Sequence, residues 1–211
     1  MQPYRLADLT IKKLNRLALR IVDKTKHKLL TLGFDELNVM NEIDVLYVRL
    51  DENNRKLFRE LFCERYAEMY LWLTKKKPDE DMLDELVDMY LADLLTDPNE
   101  NTHYSYEAET LRKRDRTKEA INSVPTKAQK QLELDKALRI WAQMSGWYAD
   151  FTSQGAEIQA LMDAGVERVE RHEMDDGKTC SICASADGEK YAIDDIPPLP
   201  HLRCRRWFTP I

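Results

Sequence analysis

Glycine is scarce in this chain, with six in 211 residues. So small a supply argues against a turn-rich β architecture and favours long helices. No stretch approaches the roughly eighteen uninterrupted apolar residues of a membrane span. The N-terminal run "MQPYRLADLTIKKLNRL" has charges inside its apolar pattern. It lacks the continuous apolar core of a secretory signal, so a cytosol is the expected compartment. Neither G-x-x-x-x-G-K-[ST] nor G-x-S-x-G occurs, which removes the phosphate-cradling loop and the nucleophile elbow. Cysteine is sparse as well, four in all. In a reducing compartment clustered cysteines are more often metal ligands or catalytic groups than structural disulfides.

What the chain does have is charge: Asp, Glu, Lys and Arg make up 33% of it. Its length suits one domain, or one domain with a small appendage. The net charge of −6 is unevenly spread. Residues 1–32 carry eight Lys/Arg against two Asp, a net of +6. Residues 33–101 carry eighteen acidic groups against eight basic ones, a net of −10. Residues 102–171 balance, and residues 172–211 have a net of −2. A basic first helix suits nucleic acid or an acidic partner, or simply a solvated face beside an acidic segment. The acidic total is unlike that of a dedicated DNA binder.

Apolar residues at Leu6, Leu9, Ile11, Leu14, Leu17, Ile21 and Leu29 recur in steps that predict an amphipathic helix over residues 5–32, stopped by Gly33. A second helical region runs from about Glu36 to Lys76, with "DENN" at 51–54 as an expected interruption and Pro78 as its end. Residues 79–95 predict a short acidic helix, and 96–105 a loop. Residues 106–121 predict a further helix. Helix is expected again from Lys127 to Gly165, in one piece or two, with Gly146 and Gly155 as candidate kinks. After Gly165 the pattern changes. "VERVERHEM", "EKYAI" and "RRWFTPI" are strand-like, separated by the turn signals "DDGK", "ADGE" and "IPPLP". The expected fold is mainly α. A helical body over 1–165 carries a small β-rich module over 166–211. That module has few apolar residues, and so small a unit needs a staple, a metal or a partner surface.

Four soft or borderline ligands lie in this module. Cys180 and Cys183 form a C-x2-C pair, and His201 and Cys204 form an H-x2-C pair, seventeen residues apart. Two short-spaced pairs bracketing a hairpin suit tetrahedral zinc. With all four places filled by protein, no position stays open for water, so the ion would be structural. Other readings of the cluster stand beside this one. A thioredoxin-like redox pair belongs at a helix start in a βαβ unit, and none is visible. A zinc deaminase needs H-x-E and P-C-x-x-C, and both patterns fail here. Ordinary buried thiols with an ordinary histidine are the plainest reading. Elsewhere Cys63 follows Phe58, Leu61 and Phe62 and is expected in a core. His27 and His103 are isolated. Trp72, Trp141, Trp147 and Trp207 are expected as core or interface anchors.

Read in order, Asp176, Thr179, Cys180, Cys183, Asp187, Gly188, Tyr191, Pro197, Pro198, His201, Cys204 and Arg205 follow a known pattern. Over about residues 155–211 the chain resembles the C-terminal signature of the phage head morphogenesis proteins, the phage Mu F-like minor head proteins. It departs from that family in two places: Leu202 stands where proline is common, and Arg206 where a further cysteine is common. The chain is also short for the family. The resemblance implies a minor capsid protein of a tailed-phage virion, assembled in the host cytoplasm and without enzymatic activity. It implies association with the portal protein and with major capsid or scaffold proteins. The implied role lies in head assembly and in DNA packaging or delivery. Arg203, Arg205 and Arg206 would then be available to portal carboxylates or DNA phosphates. The competing expectation is a regulatory nucleic-acid-binding zinc module.

Overall fold

The computed structural model describes residues 5–96, 105–174, 179–199 and 206–211. It is mainly helical, with α1 (Arg5–Leu32), α2 (Glu36–Thr74), α3 (Glu80–Thr96), α4 (Tyr106–Ser123), α5 (Lys127–Asp163) and the short α6 (Ser181–Ser185). Three short strands, β1 (Arg168–Glu173), β2 (Lys190–Ala192) and β3 (Arg206–Pro210), form one antiparallel sheet in the order β2-β1-β3.

The helix starts follow from local side chains. The Asp35 carboxylate accepts from the Asn38 amide at 2.9 Å and Asp79 from the Met82 amide at 3.0 Å. Ser105 accepts from the Ala108 amide at 3.1 Å. Thr126 and Gln129 cap each other reciprocally, the capping-box arrangement that starts α5. At the other ends, Gly33 and Gly165 take positive φ values of 101° and 74°. A left-handed closing residue is what glycine adopts without a steric penalty.

The expected interruption at "DENN" does not occur, and α2 runs unbroken for 39 residues. Each polar side chain there has a use on a helix. Asp51 pairs with Arg55 one turn later. Asn53 donates to the Arg49 carbonyl at 2.6 Å. Asn54 is buried and donates to the Ser145 hydroxyl at 2.7 Å. α5 is likewise continuous through Gly146 and Gly155. Gly155 serves packing: a Cβ there would be built into the Tyr90 ring. That ring lies 4.6 Å from the Phe62 ring and donates its hydroxyl to the Phe151 carbonyl at 3.0 Å.

The chain divides into two compact units, and both draw on α2 and α5. One comprises residues 11–58 and 91–145. Its buried residues include Leu14, Val22, Leu29, Ile43, Leu46, Phe58, Ile121, Leu134 and Trp141. Tyr47 meets Trp141 edge-on at 5.4 Å, and Tyr106 meets Phe58 at 5.7 Å. The other unit comprises residues 1–10, 59–90 and 146–211. The expectation set a boundary at 165/166. In the structure residues 166–211 group with the second half of α2, with α3 and with the end of α5.

The reason for that grouping lies in the sheet. Its buried face presents Val169, Arg171 and Glu173 from β1 and Arg206 and Phe208 from β3. Of these only Val169 and Phe208 are hydrocarbon, so the strands have almost no core of their own. α5 supplies the rest. Glu157, itself buried, accepts from the Phe208 amide at 2.9 Å and from the buried Arg65 guanidinium at 2.7 Å. Arg171 directs its backbone groups to β2, bonding Glu189 and Gly188 at 2.8 Å each. Its opposite number on β3, Phe208, therefore points its amide away from the sheet, to the free edge where Glu157 waits. Burial works against the Arg65 charge, yet Glu157 and Glu68 outweigh it and hold the guanidinium pKa above its ordinary value.

Candidate metal centre

Just before the first cysteine, the Thr179 hydroxyl donates to the carbonyl of Met174, the residue that follows β1. Cys180 is then the N-cap of α6. Its sulfur accepts from the Cys183 amide at 3.5 Å, and its carbonyl accepts from the Ala184 amide at 2.9 Å. Two cysteines three apart thus occupy the start and first turn of one short helix. Cys183 is buried and packs with Leu199, while Cys180 and Phe151 of α5 lie against the same cluster.

The turn after α6 is anchored to β1. Asp187 accepts from the Glu173 amide at 2.8 Å, and the Gly188 amide donates to the Arg171 carbonyl at 2.8 Å. Arg171 in turn holds Glu173 through Nε at 2.8 Å, an ion pair buried on both sides. Tyr191 sits beside Glu189, and burial together with that carboxylate raises its pKa. On the outward face of the sheet His172 stacks on Trp207 at 5.4 Å and bonds the Thr209 hydroxyl at 2.7 Å.

The sequence expectations meet this geometry unevenly. Cys180 and Cys183 are brought together. His201, Cys204, Arg203, Arg205 and Asp176 lie outside the described residues, as do His103 and most of the expected loop at 96–105. Among the described residues no group of three or more His, Cys, Asp and Glu side chains is placed to hold a metal ion. Two thiols supply half of a tetrahedral set, and their donor chemistry suits zinc if two further ligands join them. Arg206 was expected as an outward-facing contact for phosphate or a partner. It is instead buried: it donates to Gln154 at 2.8 Å and to the Pro197 carbonyl, and lies 5.4 Å over the Phe208 ring. The inward face of β3 takes it because Phe208, two residues on, shares that face.

Cys63 is half-buried, and burial pushes its thiol pKa up. Of the tryptophans, Trp141 is a core residue and Trp72 is exposed. Missing from the sequence reading were Phe151, Gln154 and Glu157, the part of α5 that floors the module. A small-residue run, Ala149, Gly155, Ala156 and Ala160, was the available signal that something packs closely on this stretch. Among the described residues no helix is long and apolar enough to cross a membrane. No protein-family model matches the chain, and no curated protein or solved structure shows significant similarity to it.

Proposed function

We propose that the chain is a minor head protein of a tailed phage, of the Mu F-like kind. It associates with the portal during head assembly and takes part in packaging or delivering DNA. Residues 166–211 form its zinc-stapled terminal module, with Cys180, Cys183, His201 and Cys204 as ligands. When bound, the ion cross-links two chain segments and supplies no chemistry of its own. The reading assigns no catalytic residue and no role at a membrane.

The observation that carries this reading is the use to which the motif residues are put. Thr179 bonds the Met174 carbonyl, Asp187 and Gly188 tie the turn after α6 to β1, and Pro197 receives Arg206. The ordered pattern behind the resemblance is therefore also a set of scaffolding contacts around the two thiols. Leu199, packed on Cys183, stands two residues before His201. Two residues span at most about 7 Å. The sequence spacing is compatible with a shared ion. A module with this little hydrocarbon also benefits most from a metal.

The test has two arms. Elemental analysis of the purified chain should find about one zinc per chain, lost in Cys180→Ser. Co-expression with a portal protein of the same phage should yield a complex that survives affinity purification. Absence of zinc removes the staple. Failure to associate with portal or procapsid at any stage of assembly removes the head-protein reading.

A further inference from the structure

We propose that the exposed faces of α1 and α3 bind each other between two copies of this chain. α1 buries Ala7, Leu14, Ala18, Val22 and Leu29. Its opposite pole carries Leu9, Lys12, Arg16, Leu19 and Arg20, all exposed. Among the described residues no ion pair engages Lys12, Arg16 or Arg20. Lys26 and Lys28, one to two turns further on, do find Asp135 and Glu42. Lys12, Arg16 and Arg20 thus lie unpaired along one stretch of the outer face of α1.

α3 is the counterpart. Val87 and Leu91 are its buried residues among those described, and the opposite side carries Asp81, Met82, Glu85 and Met89, all exposed. Asp84 and Asp88, on the flank, are held by Arg59. Among the described residues no ion pair engages Asp81 or Glu85. Each face therefore combines unpaired charge of one sign with protruding apolar side chains. Leu9 is 50% exposed and Met89 60%, far more than a flank residue of an amphipathic helix needs. Singly such residues are ordinary. Set among unpaired charges on two helices of opposite sign, they give each face an apolar centre and a charged rim.

The lengths agree too. Leu9 to Arg20 spans about 16 Å of helix and Asp81 to Met89 about 12 Å. A second copy is the occupant because this chain carries both halves of the match. The pairing joins two different faces, so it is heterologous: it extends into a ring if the rotation closes and into a filament if it does not. It does not depend on the zinc module or on the portal reading.

Sedimentation equilibrium of the full chain tests this. At about 20 mM salt, where charge acts over more than 20 Å, the expected mass is at least twice the 24.8 kDa of the chain. At about 0.5 M salt it falls to that of the monomer. Lys12→Glu/Arg16→Glu/Arg20→Glu and Asp81→Lys/Glu85→Lys should each be monomeric at low salt with wild-type circular dichroism. Mixed in equal amounts they should associate again, because each supplies the face the other has lost. The neutral set Lys12→Gln/Arg16→Gln/Arg20→Gln should weaken association at least tenfold and provides the same readout should a reversed set misfold. A wild-type chain that is monomeric at low salt overturns the proposal. So does association that survives either reversal, or a mixture that stays monomeric. Should the α1 reversal leave association intact and abolish retention on duplex DNA, the basic face serves phosphate and the proposal is wrong.

Discussion

Glu157→Ala should be among the costliest single truncations in the unit that holds the sheet. The side chain has two jobs, one per oxygen. Oε2 neutralises Arg65, a guanidinium with no solvent exposure, at 2.7 Å, and Oε1 accepts from the Phe208 amide at 2.9 Å. Breaking one partner of a buried ion pair costs about 3–5 kcal/mol. Arg65 keeps Glu68 at 3.1 Å, so the lower end, about 3 kcal/mol, applies here. Orphaning a buried amide adds about 1 kcal/mol or more. The sum is about 4 kcal/mol, close to a thousandfold in the folding equilibrium. Glu157→Gln keeps an acceptor for only one of the two donors, sets its NH2 against the other and loses the charge, so about 3 kcal/mol is expected. Arg65→Met/Glu157→Leu removes both charges together and should return to within about 1 kcal/mol of wild type. Urea unfolding followed by circular dichroism measures all three. Hydrogen exchange at the Phe208 amide reports the edge contact separately. The reasoning is refuted if Glu157→Ala costs under about 1 kcal/mol. It is also refuted if the double variant is as unstable as the single one.

Three further outcomes follow from other parts of the molecule. Chelation, Cys180→Ser or His201→Ala should expose residues 166–211 to protease while α1 and α2 stay protected; unchanged resistance of the tail would contradict the coupling of metal and folding. Stability should fall as pH rises from 10.0 to about 12. Burial raises the Tyr47 pKa from its ordinary 10.0 to about 12, so the unfolded chain gives up that proton first. The loss is at most about 1.4 kcal/mol per pH unit for this side chain. Tyr47→Phe, which removes the hydroxyl bonded to Thr117 at 2.8 Å, should flatten that slope. An unaltered slope in the variant would refute the assignment. Gly155→Ala should destabilise by about 1–3 kcal/mol by overpacking, although alanine is the better helix former. Adding Tyr90→Ala should leave no further loss attributable to position 155 when the pair is analysed as a double-mutant cycle.

Much of the helical pattern could be read from the chain because it was local. The apolar repeat of α1, the carboxylates at the start of α3, Gly33 and Gly165 each mark an element within a few residues. "DENN" misled because the same polar side chains that start a helix also serve in the middle of one, when Arg55 stands one turn on and Ser145 awaits Asn54. The place of the sheet was not legible, since its support comes from Gln154 and Glu157, about fifty residues earlier in the chain. Arg206 shows the same limit. A run of arginines near a terminus reads as a surface, and only the register of β3 on β1 turns one of them inward.

Glu157 has a consequence beyond its own unit. A sheet ending in a bare strand can template the addition of another chain, the first step of strand-exchanged oligomers and fibres. In this sheet the outer amide of β3 is already occupied by a carboxylate from the helix beneath. The other outer strand, β2, is only three residues long. An incoming strand would have to displace an anion at one edge and would find little to align on at the other. The module can therefore be held at high local concentration without its sheets joining edge to edge.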